Sequence, residues 1–322
     1  MEKVKQLQQD FADFMAKTDF GGQPAELYEP IGYTLLQSGK RLRPMLCLLA
    51  NDLFGGDEQQ ALWPALALET FHNFTLIHDD IMDQAPLRRG RETVYQKWNA
   101  NIAILSGDAM LALAFQYALK PEKGAELARQ LGKVAIEICE GQQMDLNFET
   151  QKVVTIEDYL EMIRLKTAVL LAASLKMGAI CGGADPKDAQ YLYEFGIGVG
   201  LAFQLKDDLL DVYGDTKDFG KEIGGDICCN KKTFLLISAL TQADAKGKKT
   251  LSEWLNKTSF DRAEKIAAVT RIYDELRIRH LTESKMKEYY DQAIDALRKV
   301  NTNENRKEDL YKLAEHLLYR IS

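Results

Sequence analysis

The sequence predicts an all-α fold, read as a single domain over residues 1–322. Three observations carry that prediction. Apolar runs of helix length follow one another, while strict polar/apolar alternation over strand length is hard to find. The chain has only 7 prolines and none after Pro186, so a long C-terminal stretch is free of the strongest helix breaker. No low-complexity linker or solenoid-type repeat divides it.

In order, residues 1–18 read as an amphipathic helix ended by Gly21-Gly22-Gln23-Pro24, and a second helix runs through Leu27 to Leu36. Gln37 to Pro44 is a short basic loop. Pro44 falls in the first turn of a helix over Met45 to Leu53, where its missing N–H costs nothing. Gly55-Gly56 closes that helix. The apolar run Ala61 to Met82 is the next helix; it stops near Pro86, before the basic stretch Leu87-Arg88-Arg89-Gly90-Arg91. Helices are expected over about Asn101 to Leu119 and Lys123 to Phe148. Thr155-Ile156-Glu157-Asp158 has the form of a capping box opening a helix to Ile180, closed by Gly182-Gly183. Asp185-Pro186 starts another with an N-cap Asp and a first-position Pro, ending near Gly214. Asp215 to Lys232 is polar, Gly-rich and charged, and reads as a long loop able to act as a flap. Further helices fill Thr233 to Ser322.

A chain of 322 residues, 46% hydrophobic and 28% charged, buries a large core. Its net charge of −7 argues against general nucleic-acid binding, which wants a basic surface. The five cysteines (Cys47, Cys139, Cys181, Cys228 and Cys229) form no CxxC pair, and their odd count fits reduced thiols in a cytoplasmic protein. The adjacent Cys228-Cys229 pair has no evident role. The N-terminus lacks the apolar core of a signal peptide, and no run of about 18 uncharged apolar residues could span a membrane.

The functional signal is a duplication. Asp79-Asp80-Ile81-Met82-Asp83 and Asp207-Asp208-Leu209-Leu210-Asp211 share one spacing, each in an apolar helical run. Positions i and i+4 lie one turn apart on nearly the same face, so the first and last carboxylates of each cluster point the same way. A solvated acidic face explains most single clusters; two identical ones beside hydrophobic helix call for a cation. Carboxylate oxygens suit Mg²⁺, which takes one or two of them and completes its octahedron with water and phosphate oxygens. A pyrophosphate is the natural ligand of that arrangement.

Basic residues stand where a second anion would need them: Lys40, Arg41 and Arg43 in the early loop, and Arg88 and Arg89 after the first cluster. Lys166, in the apolar stretch before Thr167, either snorkels at the edge of the core or reaches an anion. Lys221 and Lys231 flank the Gly-rich loop. His72 lies about two turns before Asp79 on nearly the same face, a pattern more often met in a satisfied core histidine. Gly196, Gly200, Gln204 and the second cluster form one stripe; its glycines serve either close helix packing or room for a ligand.

Gly39-Lys40-Arg41-Leu42-Arg43-Pro44, the first DDxxD with Arg88-Arg89-Gly90, Lys166-Thr167, Phe203-Gln204 before the second DDxxD, and Gly220-Lys221 together resemble the trans-isoprenyl diphosphate synthases, or polyprenyl synthetases. The resemblance covers about residues 30–235. It implies an all-α bundle of the isoprenoid synthase type around a deep apolar cavity, usually a homodimer. By position, Asp79, Asp83 and Asp207 would ligate about three Mg²⁺ ions, supported by Asp80, Asp208 and Asp211. Arg88, Lys166, Lys221 and Lys231 would touch an allylic diphosphate (dimethylallyl, geranyl or farnesyl). Lys40, Arg43, His72 and Arg89 would hold isopentenyl diphosphate, which turns His72 from core residue into ligand. Thr167 and Gln204 would lie beside the carbocation formed as the allylic diphosphate departs.

In this family the residues four and five before the first aspartate help set product length. Phe74 beside the small Thr75 resembles makers of geranylgeranyl diphosphate, with farnesyl diphosphate second. A helical wheel places Phe74 about 140° from Asp79, so its claim to be the floor rests on the resemblance. A terpene cyclase would carry one DDxxD and would not need the early basic loop. A non-catalytic partner subunit would be expected to have lost a cluster. Arg320, near the C-terminus, is a candidate for closing the site.

Overall fold

A computed structural model describes residues 2–37, 39–214 and 223–319. Among them the regular structure is helical apart from one hairpin of two-residue strands, in agreement with the all-α expectation. The chain forms two compact units: Met1–Val134, Ala173–Tyr193 and Val300–Asp309 make up the first, and Ala135–Ala172, Glu194–Lys299 and Leu310–Ser322 the second.

The first unit opens with α1 (Glu2–Lys17), α2 (Ala25–Leu35) and α3 (Leu42–Leu53). α3 begins earlier than expected, so Pro44 is its third residue, still within the first turn. α4 (Glu58–Met82) is the central helix, packed against α1, α2, α3, α5 (Val94–Lys97) and α6 (Ala100–Ala118). Buried residues such as Leu62, Leu66, Leu68 and Phe71 occur all round it, as expected of a helix enclosed by neighbours. α4 ends at Met82, with Asp83 as its C-cap; the Asp83 N–H still donates to the Asp79 carbonyl at 2.8 Å, so the turn carrying both aspartates is intact.

After α4 the structure departs from the sequence reading. β1 (Leu87–Arg88) and β2 (Arg91–Glu92) pair in antiparallel fashion across Arg89-Gly90. Both turn residues have positive φ, 53° and 76°, which is the two-residue turn that matches strand twist. The Tyr33 hydroxyl on α2 donates to the Glu92 carbonyl at 2.9 Å and anchors the hairpin.

The second unit packs α12 (Phe234–Gln242) against α8 (Ile156–Ile163), α14 (Arg262–Glu275) and α15 (Ile278–Lys299). Tyr159, Leu205, Phe234, Leu235, Val269 and Tyr273 belong to its core. The capping box is present: Thr155 accepts from the Asp158 N–H, and Asp158 accepts from the Thr155 N–H. The helix expected to run on to Ile180 is instead interrupted by a π-helical turn, Arg164–Ala168, before α9 (Val169–Cys181). Two close approaches frame that turn. A Cβ on Gly141 of α7 (Gly124–Thr150) would lie 2.4 Å from the Lys166 nitrogen, and one on Gly200 of α10 (Pro186–Tyr213) 2.6 Å from the Ala168 Cα. Close packing therefore accounts for Gly200.

Within the expected loop Asp215 to Lys232, residues 215–222 lie outside the described residues, and the rest includes a short helix, α11 (Gly225–Cys228). α13 (Ala245–Asn256) and α16 (Glu304–Tyr319) complete the described helices. Among the described residues no helix is long and apolar enough to cross a membrane.

Candidate active site

In the first unit, the basic loop enters α3 through Arg41, whose φ of 46° turns the chain back on itself. Arg41 donates to the Leu35 and Gln37 carbonyls at 2.5 Å each and to Glu69, so it staples the loop to the end of α2 and to α4. Glu69, 2% exposed, also accepts from the Asn73 amide at 2.9 Å. Lys40 is left exposed, and Arg43 turns inward.

Arg43 Nη1 donates to His72 Nε2 at 3.0 Å. That bond places the imidazole proton on Nδ1. Burial and then the charges of Arg43, Arg89, Arg88 and Arg41 hold the imidazole well below its ordinary value, so His72 is neutral near pH 7. Burial lowers Arg43 to about 10, with Glu69 opposing and Arg89 adding to the shift; it stays cationic at neutral pH. Arg43 Nε is buried without a hydrogen-bond partner. Arg89 lies beside Gly39, where a Cβ would come within 2.9 Å of its guanidinium. Arg41, Arg43 and Arg89 thus surround one buried carboxylate, Glu69, and the surplus positive charge with an orphaned guanidinium donor suits an anion.

The first aspartates divide. Asp80 is 4% exposed and bonded to Arg88 Nε at 2.8 Å, whereas Asp79 is half-buried and Asp83 exposed. Arg88 and Arg89, with Tyr33, Asn73, Ile77 and Thr93, line a small cleft of this unit. Phe74 meets Phe71 and His78 edge-on at 5.5 and 4.8 Å, and His78 lies over Gly107 of α6. Thr75 bonds its own helix, donating to the His72 carbonyl at 2.8 Å.

In the second unit, Thr167 on the π-turn donates to Gln204 at 3.2 Å, and Gln204 donates to Asp208 at 3.2 Å. The buried Tyr159 hydroxyl donates to the other Asp208 oxygen. Asp208 is 3% exposed, while Asp207 and Asp211 are half-buried. Asp211 accepts from the Asp226 N–H at 3.0 Å. Lys166 pairs with Asp145 at 2.5 Å, and Lys231 lies 3.9 Å from Asp226. Lys221 and Arg320 lie outside the described residues.

Burial pushes the Asp208 carboxyl from 3.8 up to about 7, although the bonds from Tyr159 and Gln204 pull it down. Between those pH values the folded state keeps a proton that the unfolded chain has released, so this group favours folding most at low pH, and that contribution is lost as pH rises through the window. In metal-free protein, Asp208→Asn is expected to remove that fall from the pH profile of the denaturant midpoint. Superimposable profiles would mean that Asp208 is ionised throughout.

The donor set suits Mg²⁺. Among the described residues no three acidic, histidine or cysteine side chains gather closely enough to hold an ion alone. The half-buried Asp79, Asp207 and Asp211 and the exposed Asp83 offer hard carboxylate oxygens, of which Mg²⁺ takes one or two and completes its shell with water and phosphate. Sequence reading missed Glu69, Asn73, Asp145, Tyr159 and Asp226. Each acts through a partner well away along the chain or a turn along its helix, and none stands in a recognisable local pattern.

The sequence profile of the family described as polyprenyl synthetase matches residues 24–275. The geranylgeranyl diphosphate synthase of Saccharolobus solfataricus is 39% identical over 290 residues, 88% of this chain and 86% of that protein. The geranylfarnesyl diphosphate synthase of Aeropyrum pernix is 34% identical over 320 residues, 96% of this chain and 97% of that protein. A crystal structure of a geranylgeranyl pyrophosphate synthase superposes with a TM-score of 0.93 at 40% identity, covering 99% of both chains.

Proposed function

The chain belongs to the polyprenyl synthetase family, and from that premise we propose a Mg²⁺-dependent short-chain prenyltransferase. It joins isopentenyl diphosphate to an allylic diphosphate, releases diphosphate and makes geranylgeranyl diphosphate. The observation that carries this reading is the surplus of positive charge around Glu69, where Arg41, Arg43 and Arg89 gather on one carboxylate. An enzyme that ionises a single allylic substrate has no need of it.

Lys40, Arg43, Arg89 and neutral His72 hold isopentenyl diphosphate. Arg88, Lys166, Lys221 and Lys231 would bind the allylic diphosphate, and Asp79, Asp83 and Asp207 would hold Mg²⁺. When bound, the metal offsets the negative charge that grows on the departing diphosphate. Asp80 supports the site by fixing Arg88, and Asp208 by fixing Gln204. Thr167 and Gln204 would present oxygen dipoles beside the allylic cation, which the isopentenyl double bond attacks; the departed diphosphate then takes the proton that is lost. Preorganised dipoles of this kind act where charge develops.

Titration of diphosphate release tests the reading. Release is expected only with Mg²⁺ and both substrates together; release from the allylic substrate alone would point to a cyclase. Phe74→Ala is expected to lengthen the product, because it removes the ring that meets Phe71 and His78. Chromatography of the dephosphorylated products checks this, and an unchanged length would remove Phe74 from the account.

A homodimer is the proposed assembly. α6 is apolar on several faces yet leaves Ile104 and Leu105 43% and 59% exposed, which suits a second copy. The five free cysteines suit a reducing, cytoplasmic setting.

A further inference from the structure

Lys265 on α14 is 0% exposed, a rare setting for an ammonium. Its Nζ donates to the Cys228 carbonyl at 3.2 Å and to Asn230 Oδ1 at 2.6 Å, and stands 4.1 Å from the centre of the Phe260 ring. Burying such a group is unfavourable unless its hydrogen bonds are made, and here they converge on one turn.

That turn joins α11 to α12. Asn230 has a φ of 56°, its N–H donates to the Ile227 carbonyl at 3.3 Å, and the Lys231 N–H donates to the Asp226 carbonyl at 2.9 Å. This is the left-handed helix ending that Asn tolerates. The Asn230 side chain ties the turn outward on two sides, accepting from Lys265 and donating from Nδ2 to the Leu255 carbonyl at 3.0 Å. At one end of the same short segment the Asp226 N–H is bonded to Asp211. At the other, Lys232 donates to the Phe148 and Gln151 carbonyls at the end of α7. The residue between that anchor and Asn230 is Lys231.

We infer that Lys265 and Asn230 are positioning residues of the allylic diphosphate site: they set the turn that aims Lys231 and keeps Asp226 against the second aspartate cluster. The inference rests on the function proposed above. Lys265 touches no substrate; it acts through Asn230 and the Cys228 carbonyl.

Two variants test it. Lys265→Met keeps the length and apolar stem of the side chain and removes the ammonium. Asn230→Gly keeps the left-handed backbone accessible and removes only the side-chain bonds. In both, the KM for farnesyl diphosphate is expected to rise about tenfold, as loss of a charge-assisted hydrogen bond predicts, with the KM for isopentenyl diphosphate unchanged. Alkylation of Cys228, now partly buried, is expected to accelerate toward the rate of exposed Cys229 in the substrate-free protein. Unchanged constants and labelling in both variants overturn the proposal, and so does an equal rise of both KM values, which marks general damage. If Lys265→Met does not fold, Asn230→Gly decides by the same criteria. Absence of any condensation by the parent protein would sink the proposed function instead, while the labelling rates would still report whether Lys265 holds the turn.

Discussion

Asp79→Asn is expected to lower kcat/KM by about a hundred- to a thousandfold while leaving the melting temperature unchanged, because it removes charge stabilisation used at the transition state. The substitution keeps the size of the side chain and relieves repulsion from Asp83 one turn on. Asp79 is only half-buried, so little packing is disturbed. Asp83→Asn, at an exposed position, is expected to behave in the same way. Asp80→Asn is the control on the same turn. Asp80 is buried and holds Arg88, so its loss leaves a guanidinium without its carboxylate. That change is expected to lower stability as well as activity. Steady-state kinetics and thermal melting of the three variants separate a metal-binding pair from a solvated acidic face. On a solvated face, Asp79→Asn and Asp83→Asn would both retain full activity.

What the sequence made legible follows the range of the forces involved. Caps are local, so Thr155 with Asp158 and Asp185 before Pro186 could be read from neighbouring residues, and both stand in the structure. The i, i+4 aspartate spacing is also local, and it survives at the end of α4. The hairpin Leu87 to Glu92 was not legible, because two residues per strand cannot show alternation and Arg89 is an unusual residue for a positive φ. The π-turn was not legible either. Gly141 and Gly200, far from it in sequence, let two helices approach it closely, and neither signals a change of helix type at Lys166. The candidate site divides along the same line. The cations and aspartates proposed to meet substrates sit in short motifs, whereas Glu69, Asp145 and Tyr159 are defined only by what the fold brings to them.

Glu69 carries the second large effect. Glu69→Gln is expected to cost about 3–5 kcal/mol of stability, the usual penalty for removing one partner of a buried ion pair. The mechanism is specific to this cluster. Glu69 bonds Arg41, which holds the end of α2, and its charge favours the cationic forms of Arg43 and Arg89. Without it, neighbouring guanidiniums repel one another in a poorly solvated site. Inorganic diphosphate is therefore expected to stabilise the variant more than the parent, since a bound anion supplies the missing negative charge and adds stability by mass action. The KM for isopentenyl diphosphate is expected to rise while that for the allylic partner stays the same, because Arg41 no longer fixes the loop that presents Lys40 and Arg43. Denaturant midpoints with and without diphosphate, read beside the two KM values, check the chain of cause. A variant as stable as the parent would mean that the guanidiniums are balanced by something other than Glu69.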